Sequence, residues 1–174
     1  YLLRKLSITR SNQVWALDTT YIRMKKGFVY LTAVVDVYSR RILAHRTAIT
    51  MESLHAVQAL AEAFARFGKP EIVNTDQGSQ FSSYDWQAFL KAHNLQPSMS
   101  RRGNCHDNAV AESFFQLLKR ERIRRKAYAT RDEARQDVFD YIEMFYNPKR
   151  RHGVSQRLSP VKYEKQYFER HASV

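Results

Sequence analysis

The spacing of apolar and polar positions changes along this chain, and the changes mark its elements. Val14–Met24 is an apolar, strand-like run, and Lys25-Lys26-Gly27 after it reads as a turn. Phe28–Val37, rich in Val, Tyr and Thr, reads as a second strand and Arg41–Thr47 as a third. The short connections between them predict an antiparallel meander. The period then lengthens. Leu54, Val57, Leu60, Ala61 and Phe64 recur at helical spacing within Met51–Phe67, and Gly68-Lys69-Pro70 stops that helix. Glu71–Thr75 is a short fourth strand. Ser82–His93 reads as a helix capped by Ser82 or Ser83, with Trp86, Phe89 and Leu90 facing inward. Leu95–Ser100 predicts a fifth strand, Ser100–His106 a loop and Asp107–Arg125 a long helix. Thr130–Tyr146 is another helix, opened by Thr130 with Glu133 three residues on, which is the capping-box pattern. Asn147-Pro148 ends it. The expected organisation is an arm or linker over 1–12, a core over 13–146 and a basic tail over 147–174.

Three strands, a helix, a strand, a helix, a strand and then helices make a mixed α/β layer architecture. The order resembles the ribonuclease-H-like fold, a three-stranded antiparallel meander extended by parallel strands and flanked by helices. In that fold the first and fourth strands are neighbours, and a later helix crosses their edge.

At 174 residues, 44% of them hydrophobic and 13% aromatic, the chain is long and apolar enough for one well-filled domain. Charge adds more. Lys plus Arg number 29 against 17 Asp plus Glu, a formal net charge of +12. That balance favours a nucleic-acid partner over an anionic membrane. A single cysteine, Cys105, excludes an internal disulfide framework and a cysteine-rich zinc site, and fits a reducing compartment. It reads as a small packing residue. No apolar run approaches about 18 residues, so no membrane span is expected. The chain starts at Tyr1 without a signal peptide and reads as a piece of a longer protein.

Three acids stand out in this basic setting. Asp18 lies inside the first strand, where an aspartate is disfavoured and wants a reason. An edge strand turned to solvent is the ordinary one. Asp76 ends the fourth strand before Gln77-Gly78-Ser79, a place suited to a turn former and equally to a ligand. Glu112 sits on the helix from Asp107. At roughly 100° per residue, Val110, Phe114, Leu117 and Leu118 form its apolar stripe. Glu112 lies nearly opposite, with Asn108, Gln116 and Lys119. A helix glutamate turned to water needs no special role. Together, three carboxylates on converging elements are the minimum for holding two magnesium ions about 3.5–4 Å apart in an in-line phosphoryl displacement. On residue pattern alone, Asp36 competes with Asp18, and Asp107 with Glu112.

The surrounding residues carry a family resemblance. Trp15-Ala-Leu-Asp18-Thr-Thr-Tyr21 resembles the first-aspartate motif of insertion-sequence transposases, and Asn74-Thr-Asp76-Gln-Gly-Ser-Gln-Phe81 the second. Ser100-Arg-Arg-Gly-Asn-Cys-His-Asp107-Asn-Ala-Val-Ala-Glu112-Ser-Phe-Phe115 resembles the glutamate motif. Tyr146-Asn-Pro-Lys-Arg-Arg-His152 and Leu158-Ser-Pro160 resemble the end of the same domain. The match runs from about Val14 to Tyr167 and points to the second-frame catalytic domain of the IS-three family of bacterial transposases, relatives of retroviral integrases. The resemblance implies Asp18, Asp76 and Glu112 as the catalytic, metal-binding triad, with 35 residues between the last two. It implies two Mg2+ or Mn2+ ions, with Asp18 bridging them, Asp76 holding one and Glu112 the other. It implies cleavage at the element's ends, attack of the freed 3′-hydroxyl on another phosphodiester, and a branched, then circular, DNA intermediate. Terminal inverted repeats and target DNA are the implied partners, in a homo-oligomer of at least two copies in the bacterial, nucleoid-associated cytoplasm. The family's helix-turn-helix segments lie upstream of this domain.

Other residues complete the expected DNA surface. Gln116 and Lys119 share the face of Glu112, and Asn108 lies one turn before it. Lys119-Arg120-Glu-Arg122-Ile-Arg124-Arg125-Lys126 concentrates positive charge suited to phosphates. Arg120, Arg124 and Arg150 are read in the same way. His106 is expected to make a loop hydrogen bond and Trp15 to lie in the core. Two rival readings of function remain: a ribonuclease-H-like nuclease that hydrolyses RNA–DNA hybrids without joining, and a non-catalytic DNA-binding or assembly module. Mutually repelling carboxylates are expected to leave such a site partly open without metal.

Overall fold

The computed structural model describes residues 1–172; the Cys105 side chain, expected as a packing residue, lies outside the described part, as do residues 173–174. β1 (Val14–Arg23), β2 (Phe28–Asp36) and β3 (Ile42–Ala48) form the antiparallel meander. β4 (Ile72–Thr75) joins β1 in parallel, and β5 (Gln96–Met99) joins β4 in parallel. The sheet order is β3-β2-β1-β4-β5.

Alternation along the strands divides the core into two layers. Trp15, Leu17, Val34 and Leu43 face one side, where Ala59, Leu60 and Ala63 of α1 (Ser53–Phe67) and Trp86 and Leu90 of α2 (Tyr84–Ala92) cover them. Ala16, Leu31, Ala33 and Val35 face the other. There they meet Ala111, Phe114 and Leu118 of α3 (Ala109–Leu118), and Ala134 and Val138 of α4 (Arg131–Phe139). Local signals set the helix ends. Gly68, at φ 88, closes α1 by donating its N–H to Phe64. The Ser83 hydroxyl caps α2, and Thr130 and Glu133 form the full capping box of α4.

The two long helices expected from periodicity are not uniform. A 3-10 turn, Cys105–Asn108, leads into α3, and a π turn, Lys119–Ile123, follows it. A second π turn, Asp140–Tyr146, continues α4. The stretch from Asn147, expected as a tail, is woven into the body. Asn147 is buried and exchanges two hydrogen bonds with the Ile42 backbone, both at 2.9 Å. Beyond it α5 (Pro160–His171) stacks Tyr163 on Tyr38 at 5.0 Å and pairs Glu164 with Arg41 at 2.8 Å. Ser159 caps this helix and Pro160 opens it, a start signal present in the sequence. The N-terminal arm is also tied down: the Asn12 N–H donates to Asp36, and the Leu2 N–H to Ser98. No helix among the described residues is long and apolar enough to cross a membrane.

Candidate active site

The parallel pairing of β1 with β4 couples Val14 with Ile72, Trp15 with Val73 and Ala16 with Asn74. Asp18 and Asp76 each lie two residues beyond the last couple, Asp18 still within β1 and Asp76 just past the end of β4. Asp18 falls on the sheet face of Ala16, the face that α3 covers. Glu112 lies in the first turn of α3.

A buried amide clamp sets that helix against the strands. Asn108 donates from Nδ2 to the Leu17 carbonyl at 3.2 Å, next to Asp18. Its Oδ1 accepts from Asn74 Nδ2 at 3.2 Å, and that nitrogen also reaches the Asp107 carbonyl at 3.1 Å. One asparagine therefore links β1, β4 and the entry to α3. The carboxylates themselves are oriented from the backbone. Asp18 Oδ1 accepts the Thr19 N–H, and Asp76 Oδ1 the Gly78 N–H, both at 2.8 Å. A Cβ on Gly78 would stand 2.9 Å from Asp76 Oδ1 and 2.7 Å from Gln80 Oε1, so any larger residue here would push the Asp76 carboxylate out of place.

The three acids act on one another electrically. Burial raises the Asp18 pKa to about 7, helped by the charges of Asp76 and Glu112, while the Thr19 N–H and the Lys119 cation oppose the shift. Burial and Asp76 raise Glu112 as well, against His106. Among the described residues, none of the three forms a salt bridge. Asp76 and Glu112 border a cleft of about 410 Å³ with Gly78, Asn104 and Asn108, and Asp18 lies outside its lining. Among the described residues, no three His, Cys, Asp or Glu side chains stand close enough to enclose a metal ion by themselves. The donors are hard oxygens of the kind magnesium prefers, and a substrate phosphate would complete such a set.

The competing acids are engaged elsewhere. Asp36 is buried and closes the β2–β3 turn, accepting from Ser39 N, Ser39 Oγ and Asn12 N. Asp107 is buried in a two-pronged pair with Arg101, at 2.9 and 3.0 Å, which holds its pKa below the usual carboxylate range.

The expected DNA contacts divide. Gln116, Lys119, Arg120 and Arg124 line one open groove. Asn108 does not belong with them, because it is buried and its amide is committed to the clamp. Arg150 does not either, because its guanidinium is held by Glu121 at 2.6 Å. His106 makes its loop hydrogen bond through its backbone N–H, to Asn104. Trp15 is fully buried. Sequence reasoning missed Asn74 and Asn108 as a clamp. The signal was a buried-looking polar residue inside Ile72-Val73-Asn74-Thr75.

A mixed five-stranded sheet between helix layers, with one acid inside its central strand and another just past the end of the neighbouring strand, defines the ribonuclease-H-like class. The model of the integrase core domain matches residues 8–105, and a second integrase core domain model matches residues 112–168. The chain belongs to the integrase core domain family. It is 45% identical over 157 residues to the transposase InsF for insertion sequence IS3fB of Escherichia coli (strain K12), covering 89% of this chain and 54% of that protein. It is 42% identical over 160 residues to the transposase for insertion sequence element IS904 of Lactococcus lactis subsp. lactis (strain IL1403), covering 90% and 63%. The chain thus spans about half the length of the first of these relatives. Solved structures share its fold at lower identity. The simian T-cell lymphotropic virus intasome in complex with PP2A regulatory subunit B56 gamma superposes with a TM-score of 0.73 at 18% identity, covering 91% of this chain and 57% of that one. The HTLV-2 integrase catalytic core domain in complex with magnesium (trimeric form) gives 0.66 at 18%, covering 89% and 97%.

Proposed function

We propose that this chain is the catalytic domain of a DDE transposase, a metal-dependent polynucleotidyl transferase that cleaves transposon DNA ends and joins the freed 3′-hydroxyl to a second DNA. The observation that carries this reading is the placement of Asp18 and Asp76 beside Glu112, with no salt bridge offsetting their repulsion among the described residues. Lys119 offsets that repulsion only in part, since the Asp18 pKa stays raised, so the three acids are suited to recruiting a metal cation. Asp18, Asp76 and Glu112 would hold two Mg2+ or Mn2+ ions. Asp18 feels the charge of both other acids, so a bound cation there would relieve the repulsion of all three. Bound there, the ions would supply charge stabilisation to the attacking and leaving oxygens of the displacement.

The chain's own part is positioning. Thr19 N–H and Gly78 N–H fix two carboxylates, the Asn108 clamp fixes the helix of the third, and Lys119, Arg120 and Arg124 attract the phosphate chain. Element ends and target DNA are the proposed partners, met in the bacterial cytoplasm. An assembly of at least two copies would bring two ends together, and the HTLV-2 core is known in dimeric and trimeric forms.

The test is strand transfer with pre-cut element ends, with and without Mg2+, beside Asp76→Asn. Metal-dependent joining that the variant lacks supports the reading. Cleavage of RNA–DNA hybrids without joining would make the chain a ribonuclease. Metal-independent binding with no chemistry would make it an assembly module.

A further inference from the structure

The chain between β5 and α3 closes on itself. The Asn104 N–H donates to the Arg101 carbonyl at 3.1 Å, and the Asp107 N–H to the Asn104 carbonyl at 3.3 Å. Asn104 Oδ1 accepts the His106 N–H at 3.0 Å. One side chain then joins the two ends of this loop. Asp107 Oδ2 accepts from the Arg101 backbone N–H and from its Nε, both at 2.9 Å, and Oδ1 accepts from its Nη2 at 3.0 Å. A carboxylate that receives three bonds from one arginine fixes that residue's backbone and its planar fork together. The Asp107 side chain is 3% exposed and that of Arg101 49%, so the acid is the fixed post and the arginine the arm.

The roots of the loop are anchored to β4 and the turn after it. The Ser100 N–H donates to the Thr75 carbonyl at 2.8 Å, and Gln77 Nε2 to the Ser100 carbonyl at 3.2 Å. The Asp107 carbonyl accepts from Asn74 Nδ2 at 3.1 Å. Between the roots, Arg101, Arg102, Gly103 and Asn104 line the cleft of about 410 Å³ that Asp76 and Glu112 also border. Of the two cations on this wall, Arg101 is engaged by Asp107. Arg102 is exposed and forms no salt bridge among the described residues.

We propose that Asp107 is a positioning residue: acting through Arg101, it latches the loop over residues 100–107 as a preformed wall of the cleft, and it does so without holding a metal ion. A loop free to open would have to be ordered each time DNA binds, at a cost in chain entropy. The latch removes that cost and keeps Arg102 in place for the phosphate chain. Two neighbouring residues thus have separate tasks. Asn108 fixes the helix that carries Glu112, and Asp107 fixes the loop before it. The proposal rests on the transferase reading for its effect on joining, though not for the latch itself.

The test compares the parent chain with Asp107→Asn and Arg101→Lys, the second of which keeps the charge but not the fork. Brief trypsin digestion of the native chain, read by mass spectrometry, follows cutting after Arg102 in the loop and after Lys91, exposed on α2. Local opening raises cutting after Arg102 by about tenfold or more in both variants and leaves cutting after Lys91 within about twofold of the parent. In the joining assay, the end-DNA concentration for half-maximal rate rises about fivefold or more, while the rate at saturating DNA changes less than about twofold, as a cost met on binding requires. The Mg2+ concentration for half-maximal joining stays within about twofold, whereas loss of a group that holds or orients a metal ligand raises it by about tenfold or more. Unchanged cutting after Arg102 overturns the proposal. An equal rise after Lys91 in both variants also overturns it and makes the pair a support of the whole fold. A tenfold higher Mg2+ requirement in Asp107→Asn overturns it too and places Asp107 with the metal-binding acids. Absence of joining by the parent would count against the transferase reading, and the trypsin result would still decide the latch.

Discussion

Asp18 and Asp76 each lie two residues beyond Ala16 and Asn74, the last couple of the parallel β1–β4 pairing, although they come from different parts of the chain. Glu112 adds its carboxylate from the first turn of α3. Replacing any one of the three by its amide keeps the shape and removes the charge that a hard cation needs. Asp18→Asn, Asp76→Asn and Glu112→Gln should each lower end cleavage and joining by roughly a thousandfold, the rate equivalent of several kcal/mol of lost charge stabilisation. Gel-shift affinity for end DNA should remain close to the parent's. Near-parental joining by one variant would remove that residue from the set.

The same crowding has a signature in stability. Asp18 titrates at about 7 in the folded chain against an ordinary 3.8, so between those values the folded state binds a proton that the unfolded chain lacks. Stability from this group therefore falls as pH rises from about 4 to about 7. His152 acts in the opposite direction. Burial, with Arg150 and Arg40 nearby, lowers it to about 4, so its contribution is lost as pH falls through the range from 6.5 to 4. The parent's pH profile mixes both, but the difference between parent and Asp18→Asn isolates the aspartate. In metal-free buffer at pH 8 the variant should melt several degrees higher, at about 2–4 °C per kcal/mol, and the gap should close near pH 4. A constant gap across pH would show that burial and its neighbours' charge do not hold the Asp18 pKa above its ordinary value.

Asn108 tests the clamp. Asn108→Ala removes the side-chain donor to the Leu17 carbonyl in a buried place, a loss of about 1–3 kcal/mol, while the Asn74 amide keeps Asp107 O and Ser100 Oγ. Urea unfolding should show that loss. The magnesium concentration needed for half-maximal joining should rise as well, because the helix carrying Glu112 is no longer fixed to β1 and β4. A purely structural role would lower stability and leave the metal requirement where it was.

Gly78→Ala separates geometry from folding. The new methyl would press on Asp76 Oδ1 and on Gln80. Joining should fall about tenfold or more, as a misplaced reacting group implies, while the melting temperature changes little. Parental activity would show that Asp76 can shift without consequence.

Lys119 and Arg150 are both cations of the expected DNA surface, yet the structure sets them apart. Lys119→Ala should weaken end-DNA binding and reduce its salt slope by about 1, as loss of one phosphate contact requires. Arg150→Ala should leave that slope unchanged. Instead it should cost at most about 1 kcal/mol of stability, because Glu121 loses its ion-pair partner on the surface and keeps the Tyr141 hydroxyl. A flattened salt slope in Arg150→Ala would return that residue to the DNA surface.

Much of this architecture was legible because local chemistry and tertiary placement agree. The strand from Val14, the Gly68 stop and the Thr130–Glu133 cap each state their element in a few residues. What was not legible depends on partners distant in sequence. Nothing near Asn108 says that it meets Leu17 and Asn74, and nothing near Arg150 names Glu121. The π turns at Lys119–Ile123 and Asp140–Tyr146 keep helical residue types, so periodicity passes over them. The helix from Pro160 was hidden differently. Its start signal was present, but Lys149-Arg150-Arg151 before it drew the segment into a reading based on charge.

The pairing that brings Asp18 near Asp76 also governs timing. The first acid emerges from the ribosome early, but it waits unaccompanied until β4 has been made and has paired alongside β1. Glu112 comes later still, and its helix settles only when Asn108 can reach Leu17. Long-range pairing of this kind is slow to form compared with local structure. The three acids therefore cannot meet before residue 112 has been made, more than half of the way along this sequence.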